Sequence, residues 1–163
     1  MDLENLKLNA KLKRKENTKF FRRLKTINSK KLDQSIHNLH DKVFSCTDCL
    51  KCANCCKTTG PLFTDKDITR ISKHLKIKPS DFTYKYLKID EDSDYVLKKV
   101  PCEFLLNDNS CSIYDVRPKA CREYPHTDRI KQHQLLEITQ KNVEICPAAV
   151  SYTHLTLPTS DLV

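Results

Sequence analysis

Apolar positions along this chain recur mostly at helical spacing. Leu3, Leu6, Phe20, Phe21, Leu24 and Ile27 return about every third or fourth residue, so residues 1–31 read as a helical arm. Leu32, Ile36, Leu39 and Val43 stand at i, i+4, i+7 and i+11, one face of a further helix. The pattern breaks at FSCTDCLKCANCCKTTGP, which ends on the breaker Gly60-Pro61. Beyond it, Thr64 followed three residues later by Asp67 resembles a capping box, with Ile68, Ile71 and Leu75 as the apolar stripe. Pro79 and Ser80 open a second short helix through Phe82 and Leu87. The acidic run at 90–94 reads as a turn and 95–100 as a strand. As a calcium loop the run fails, because Tyr95 stands where glycine is needed and Pro101 where the closing glutamate is needed. Residues 104–106 and 112–114, flanking Asn107-Asp108-Asn109, predict a small hairpin. Pro118 starts a short helix carrying Cys121, and a last helix through Leu135, Leu136 and Ile138 leads to Cys146-Pro147. No internal repeat is visible. The expected fold class is α+β, mainly helical, with a short β-hairpin and a helical N-terminal arm.

Composition narrows what such a fold can do. The 163 residues suffice for one domain of ordinary size. Apolar residues make up 39%, a figure that already counts nine cysteines, against roughly 45–50% in an average globular protein. A core this modest implies that something besides apolar packing holds it. Gly60 is the sole glycine, which excludes a phosphate-binding loop and a dinucleotide fingerprint, since both need several glycines for backbone approach to phosphate. No run of 18 apolar residues occurs, so no membrane span is expected. The first twenty residues carry charges where a signal peptide needs an apolar run, and the expected location is the cytoplasm.

The net charge of +8 is concentrated at one end. Residues 1–31 hold eleven lysines and arginines against Asp2, Glu4 and Glu16, a balance of +8, and the remaining 132 residues balance to zero. A basic arm on a neutral body can contact nucleic acid or anionic lipid. The plainer reading is a solvated lysine-rich helix, because no groove-reading motif accompanies the charge.

The nine cysteines, Cys46, Cys49, Cys52, Cys55, Cys56, Cys102, Cys111, Cys121 and Cys146, carry the strongest signal. An odd count without a secretion signal argues against disulfides. Buried inert thiols would account for one or two cysteines, not for five within eleven residues. Metal ligation accounts for them. A Cys-x-x-Cys turn sets two thiolates on one side of a tight loop, where both reach one metal centre, zinc or an iron–sulfur cube. Such a centre supplies roughly 10–16 kcal/mol of apparent binding energy that counts as folding energy, which answers the thin core. Cys46, Cys49, Cys52 and Cys56 have the spacing of a bacterial ferredoxin cluster, but Lys57 follows where proline is usual and no second copy exists. The radical-SAM spacing C-x3-C-x2-C fails, because Cys52 and Cys56 would need a cysteine at Thr59, and a zinc ribbon fails because the downstream cysteines are isolated. Side chains of the neighbours Cys55 and Cys56 diverge, so one serves the upstream cluster while the other reaches toward Cys102, Cys111, Cys121 or Cys146. Two four-cysteine sites would use eight thiols.

Over residues 32–148 the chain resembles the CxxCxxCC cysteine-cluster family, a zinc- or iron-chelating domain. The resemblance rests on Cys49-Leu-Lys-Cys52-Ala-Asn-Cys55-Cys56, on Pro101-Cys102-Glu-Phe-Leu105, on the long block Cys111-Ser-Ile-Tyr-Asp-Val-Arg-Pro-Lys-Ala-Cys121-Arg-Glu-Tyr-Pro125, and on Cys146-Pro147. It implies ligand roles for Cys49, Cys52, Cys55, Cys56, Cys102, Cys111, Cys121 and Cys146, and leaves Cys46 outside the core motif as an extra ligand. Flagellin lysine methylases are similar over the cysteine motif alone. Their activity is not carried over, because this chain has no glycine-rich methyl-donor site, and no catalytic constellation is visible.

Around the cysteines, Arg117 and Arg122 flank Cys121 and would offset the net −2 of a tetrathiolate zinc site; ion pairs with Asp115 or Glu123 explain them equally well. Tyr114 and Tyr124 read as packing residues, His37 and His40 as surface histidines, and His126 as a weaker candidate for a substitute ligand. Residues 150–159 match, letter for letter, one reading frame of a transposase adapter used in DNA library preparation, so 150–163 is read as a non-native tail. The expected organisation is a basic helical arm at 1–31, a metal-stabilised cysteine-cluster domain at 32–149, and that tail. The expected function is a cytoplasmic zinc- or iron-chelating protein, an iron–sulfur centre included. Two alternatives stay open: an iron–sulfur electron carrier or redox enzyme component, and a zinc-stabilised nucleic-acid or protein adaptor using the arm.

Overall fold

The computed structural model describes residues 5–154; Leu3 of the arm and residues 155–163 of the tail lie outside the described residues. The chain divides into two compact units, one formed by the residues up to Asp48 and again from Pro125, the other by Cys49–Tyr124. The fold is mainly helical α+β, as its periodicity predicts.

The first unit is all-helical. Its elements are α1 (Leu6–Leu12), α2 (Arg14–Leu24), α3 (Ser29–Phe44), α9 (Leu136–Asn142) and α10 (Pro147–His154). Asn28 starts α3 by accepting from the N–H groups of Lys30 and Lys31, at 3.1 and 3.4 Å, which satisfies two donors that the first turn leaves without helical partners. Leu32, Ile36 and Val43 face inward from α3 and join Phe21, Leu24, Leu136 and Val143 in one core. The arm's second helix therefore contributes core residues in addition to its exposed charge. A loop from Pro125 to Gln132 is tied to α3 through Asp33, whose carboxylate accepts from Lys131 N and Gln132 N at 2.8 Å each.

The second unit holds α4 (Cys49–Cys52), α5 (Asn54–Thr58), α6 (Asp65–Leu75), α7 (Pro79–Tyr86), α8 (Lys119–Glu123) and three short strands, β1 (Leu62–Phe63), β2 (Leu87–Ile89) and β3 (Tyr95–Leu97). The antiparallel sheet runs β1-β3-β2, with Leu62 opposite Val96 and Leu87 opposite Leu97. The acidic run is the turn joining β2 to β3. Asp90 accepts from the N–H groups of Asp92 and Asp94 at 3.0 Å each, so the run's first carboxylate is spent on its own backbone. The core gathers Phe63, Ile68, Ile71, Phe82, Leu87, Leu97, Phe104 and Ile113, with Phe82, Tyr86 and Phe104 in mutual ring contact. The capping box at α6 forms as predicted, and Pro79 occupies the first turn of α7. Two expectations are corrected. Leu87 ends α7 and begins β2 instead of continuing the helix. The hairpin at 104–114 is one isolated bridge, Leu105 opposite Cys111, closed by a turn with Asn109 at φ 66°. Among the described residues no helix is long and apolar enough to cross a membrane.

Candidate metal centre

Seven of the nine cysteines lie in the sheet-containing unit; Cys46 and Cys146 belong to the helical one. None is in a disulfide. The exposed Cys46 thiol donates to the carbonyls of Lys42 and Val43, at 3.4 Å each, at the end of α3, and Cys146 packs beside the helical core. His37 and His40 spend a ring nitrogen each on the loop of their own unit, on Arg129 O and Thr127 Oγ1 at 2.9 Å.

Local backbone geometry turns the CxxCxxCC segment. Ala53 takes a left-handed conformation, φ 47°, which ends α4 after Cys52 and lets a fresh helix begin at Asn54. Cys55 and Cys56 then lie in the first turn of α5 with their sulfurs 4.0 Å apart, so these neighbouring side chains do not diverge as the sequence suggests. The segment is fastened to the next motif by the Cys102 N–H, which donates to Cys56 O at 2.8 Å. Cys111 is itself a partner in the bridge to Leu105, three residues beyond Cys102, and α8 carries Cys121.

Electrostatics links four of these thiols. The hydrogen bond from Cys55 lowers Cys56 from the ordinary 9.0 to about 7; burial opposes this and Lys57 adds to it. Burial pushes Cys102 up to about 11, with the charges of Cys56 and Cys111 adding to the rise against the N–H groups of Phe104 and Leu105. Cys111 is raised by burial and by Cys56, while the Ile113 N–H and Arg117 oppose. Cys121 reaches about 12 through burial and the charges of Cys56, Cys102 and Cys111, with Arg117 opposing. All six pairs among Cys56, Cys102, Cys111 and Cys121 thus act on one another. Among the described residues no three His, Cys, Asp or Glu side chains already stand in an arrangement that would hold a metal ion, so the four thiols do not form a tetrahedron.

The two arginines separate. Arg117 is half-buried, donates to Tyr114 O at 2.7 Å and lies with its guanidinium carbon 3.8 Å from the centre of the Tyr114 ring. It is the cation acting on Cys111 and Cys121. Arg122 is exposed on α8. Tyr114, read as a packing residue, is 53% exposed and serves as the platform for Arg117.

A contribution that the sequence reading missed comes from α6. Asp67 is buried, and its carboxylate accepts from Thr64, Arg70 and the Lys119 N–H, the first residue of the helix that carries Cys121. Burial works to raise Asp67, but these hydrogen bonds outweigh it and hold the group below the usual carboxylate range. The only sequence signal was the spacing Thr64-x-x-Asp67, which reads as a helix cap alone.

Soft sulfur donors collected on a small α+β scaffold define a cysteine-cluster protein. The chain belongs to the CxxCxxCC family: residues 48–147 match its model, described as "Putative zinc- or iron-chelating domain". An uncharacterized protein of Methanocaldococcus jannaschii, MJ0661, is 33% identical over 90 residues, which cover 53% of this chain and 48% of that protein. The chain therefore spans about half the length of that relative. No solved structure matches it.

Proposed function

We propose that this protein chelates zinc or iron through Cys56, Cys102, Cys111 and Cys121 as one four-thiolate centre. Cys49, Cys52 and Cys55 are further candidate donors of the same unit; Cys146, and Cys46 as an extra, are candidate donors of the helical unit. The observation that carries the reading is the Cys102 N–H donating to Cys56 O at 2.8 Å, which fastens two of the cysteine motifs within one unit. Like-charge interactions join all six pairs of the four thiols, and Arg117 is a cation acting on Cys111 and Cys121. The donor chemistry fits the metal: thiolate is soft and suits zinc or an iron–sulfur cluster. Ligation requires the four sulfurs to converge further, to about 2.3 Å from a zinc ion. Burial disfavours four mutually repelling thiolates, and a divalent cation reverses that balance by deprotonating the thiols it binds. Reduced thiols of this kind persist in the cytoplasm, where we place the protein.

Anaerobic purification, a metal count and an absorption spectrum test the reading. The wild-type chain is expected to carry zinc or iron, and Cys102→Ser and Cys121→Ser to lose one site's content while Cys46→Ser keeps it. Metal-free wild type, or unchanged content in Cys121→Ser, overturns the assignment. Visible absorption that bleaches on reduction favours the electron-carrier reading; a colourless zinc protein does not.

A second reading draws on α2, where Arg14, Lys15, Lys19 and Arg22 line one shallow surface depression. Clustered cations of this kind suit phosphate contact. Salt-sensitive binding of nucleic acid, lost in a variant with these four changed to Gln, is the expected result of an adaptor; salt-independent or absent binding sinks it.

A further inference from the structure

We propose that Asp67 and Arg70 are positioning residues of the metal centre, clamping the chain between Cys111 and Cys121 onto α6; this rests on the metal-centre reading above. A capping box needs one carboxylate oxygen. Asp67 Oδ2 does that work, accepting from Thr64 N at 3.1 Å and Thr64 Oγ1 at 2.7 Å. Its other oxygen is left over, and Oδ1 accepts from Arg70 Nη2 at 2.6 Å and from Lys119 N at 3.1 Å. Arg70 extends the grip, donating from Nε to Val116 O at 3.3 Å and from Nη2 to Arg117 O at 2.8 Å.

Two consequences follow for the centre. Helix α8 is preceded by Pro118, whose side chain offers no hydrogen bond to the helix start, so the Asp67 carboxylate serves as the N-terminal partner in its place. Cys121 sits two residues beyond Lys119, so its direction depends on that anchor. Arg117 has its carbonyl held by Arg70 and its guanidinium laid on Tyr114, so the cation beside Cys111 and Cys121 is placed by the same clamp. A buried ion pair is weak evidence for stability, because desolvation offsets the attraction. One that ties two backbone carbonyls and an N–H, all between two candidate ligands, is arranged to fix geometry.

The test replaces the native metal with cobalt(II) in the full chain and reads the sulfur-to-cobalt charge-transfer absorption per metal, which reports the number of bound thiolates. Asp67→Asn, Arg70→Lys and Lys119→Pro are compared with Leu97→Val, a core change in the same unit outside the clamp. Lys119→Pro removes one N–H at a position where proline suits the helix start, so it preserves the fold even where Asp67→Asn does not. The three clamp variants are expected to lose about one thiolate's share of the band and to hold cobalt about tenfold to a hundredfold more weakly. Leu97→Val is expected to melt earlier with an intact band. Full bands in the clamp variants, with earlier melting alone, overturn the inference. A wild type that develops no band overturns it together with the metal-centre reading, a distinguishable outcome.

Discussion

The helical unit and the cysteine unit bury polar groups on opposite terms. In the helical unit most of them are paired by the fold itself, although Gln132 Oε1 is buried without a partner among the described residues. Asp33 takes two backbone N–H groups, the Gln132 amide donates to the carbonyls of His126 and Arg129, and Asn142 donates to Pro125 O. In the cysteine unit, Asp67 is treated the same way, but Cys102, Cys111 and Cys121 are partly buried where desolvation and the charges of other thiols oppose ionisation. The first unit rests mainly on its own hydrogen bonds and apolar faces. The second keeps an unresolved electrostatic conflict at one place, and conflicts of that kind concentrate at functional sites.

The largest expected effect is on removing metal. A structural zinc site supplies roughly 10–16 kcal/mol of apparent binding energy, comparable to or above the roughly 5–15 kcal/mol that holds a whole domain. Chelation is therefore expected to weaken the Cys49–Tyr124 unit, leaving it marginally folded, and to spare the other. Hydrogen exchange reads this directly: protection should fall steeply at α6 and β3 while α3 keeps its own. Equal loss in both units, or loss in neither, breaks the comparison.

Alkaline pH should separate the units next. In the metal-free chain Cys102 and Cys121 have folded values of about 11 and about 12, above the ordinary 9.0 of an unfolded thiol. The neutral thiols favour the folded unit fully below about pH 9, and that support disappears as pH rises through about 11 and 12. Cys56 has the opposite sign: lowered to about 7, its contribution is present above 9 and lost as pH falls through 7. Circular dichroism of metal-free protein from pH 8 to 12 should show the cysteine unit melting first. For the metal-loaded chain the trend reverses in affinity, since ligation releases protons and tightens as pH rises. A metal-free chain that gains stability above pH 9 would contradict the burial of these thiols.

How much of this was legible in the sequence divides along the same line. Leu32, Ile36 and Val43 lie where their spacing puts them, because a 3.6-residue period is a local property. The Thr64–Asp67 cap is local too. Strands β1 and β2, two and three residues long, are too short to display alternation, so Leu87 was absorbed into the preceding helix. Spacing named the cysteines as candidate donors and the family match supports metal chelation, but which four stand together depends on contacts such as Cys102 N–H to Cys56 O across the chain. Arg117 and Arg122 flank Cys121 alike in the sequence; only the folded backbone tells which is half-buried on Tyr114. The second oxygen of Asp67 left no local trace at all, because its partner Lys119 is 52 residues away.

The smallest expected effects come from the two helix caps, and they sharpen the comparison most. Asn28→Ala removes the acceptor for two N–H groups at the start of α3, which is expected to cost about 1 kcal/mol of helical-unit stability. Thr64→Ala removes an equivalent cap, from Asp67 N at 3.2 Å, and also the hydroxyl that donates to Asp67 Oδ2 at 2.7 Å. Its cost in stability should therefore lie toward the upper part of the roughly 0.5–2 kcal/mol range for lost caps. The two should differ more in kind than in size. Asn28 orders a helix that holds no ligand of the proposed four-thiolate centre, so its loss should lower the melting temperature and leave competition for metal against a chelator unchanged. Thr64 steadies the carboxylate that anchors the helix of Cys121, so its loss should weaken metal binding as well. The double variant should show additive stability changes, because the two caps share no partners. A metal affinity that falls equally in both single variants would mean that the centre responds to any loosening of the chain, and the division between a self-sufficient unit and a metal-dependent one would fail.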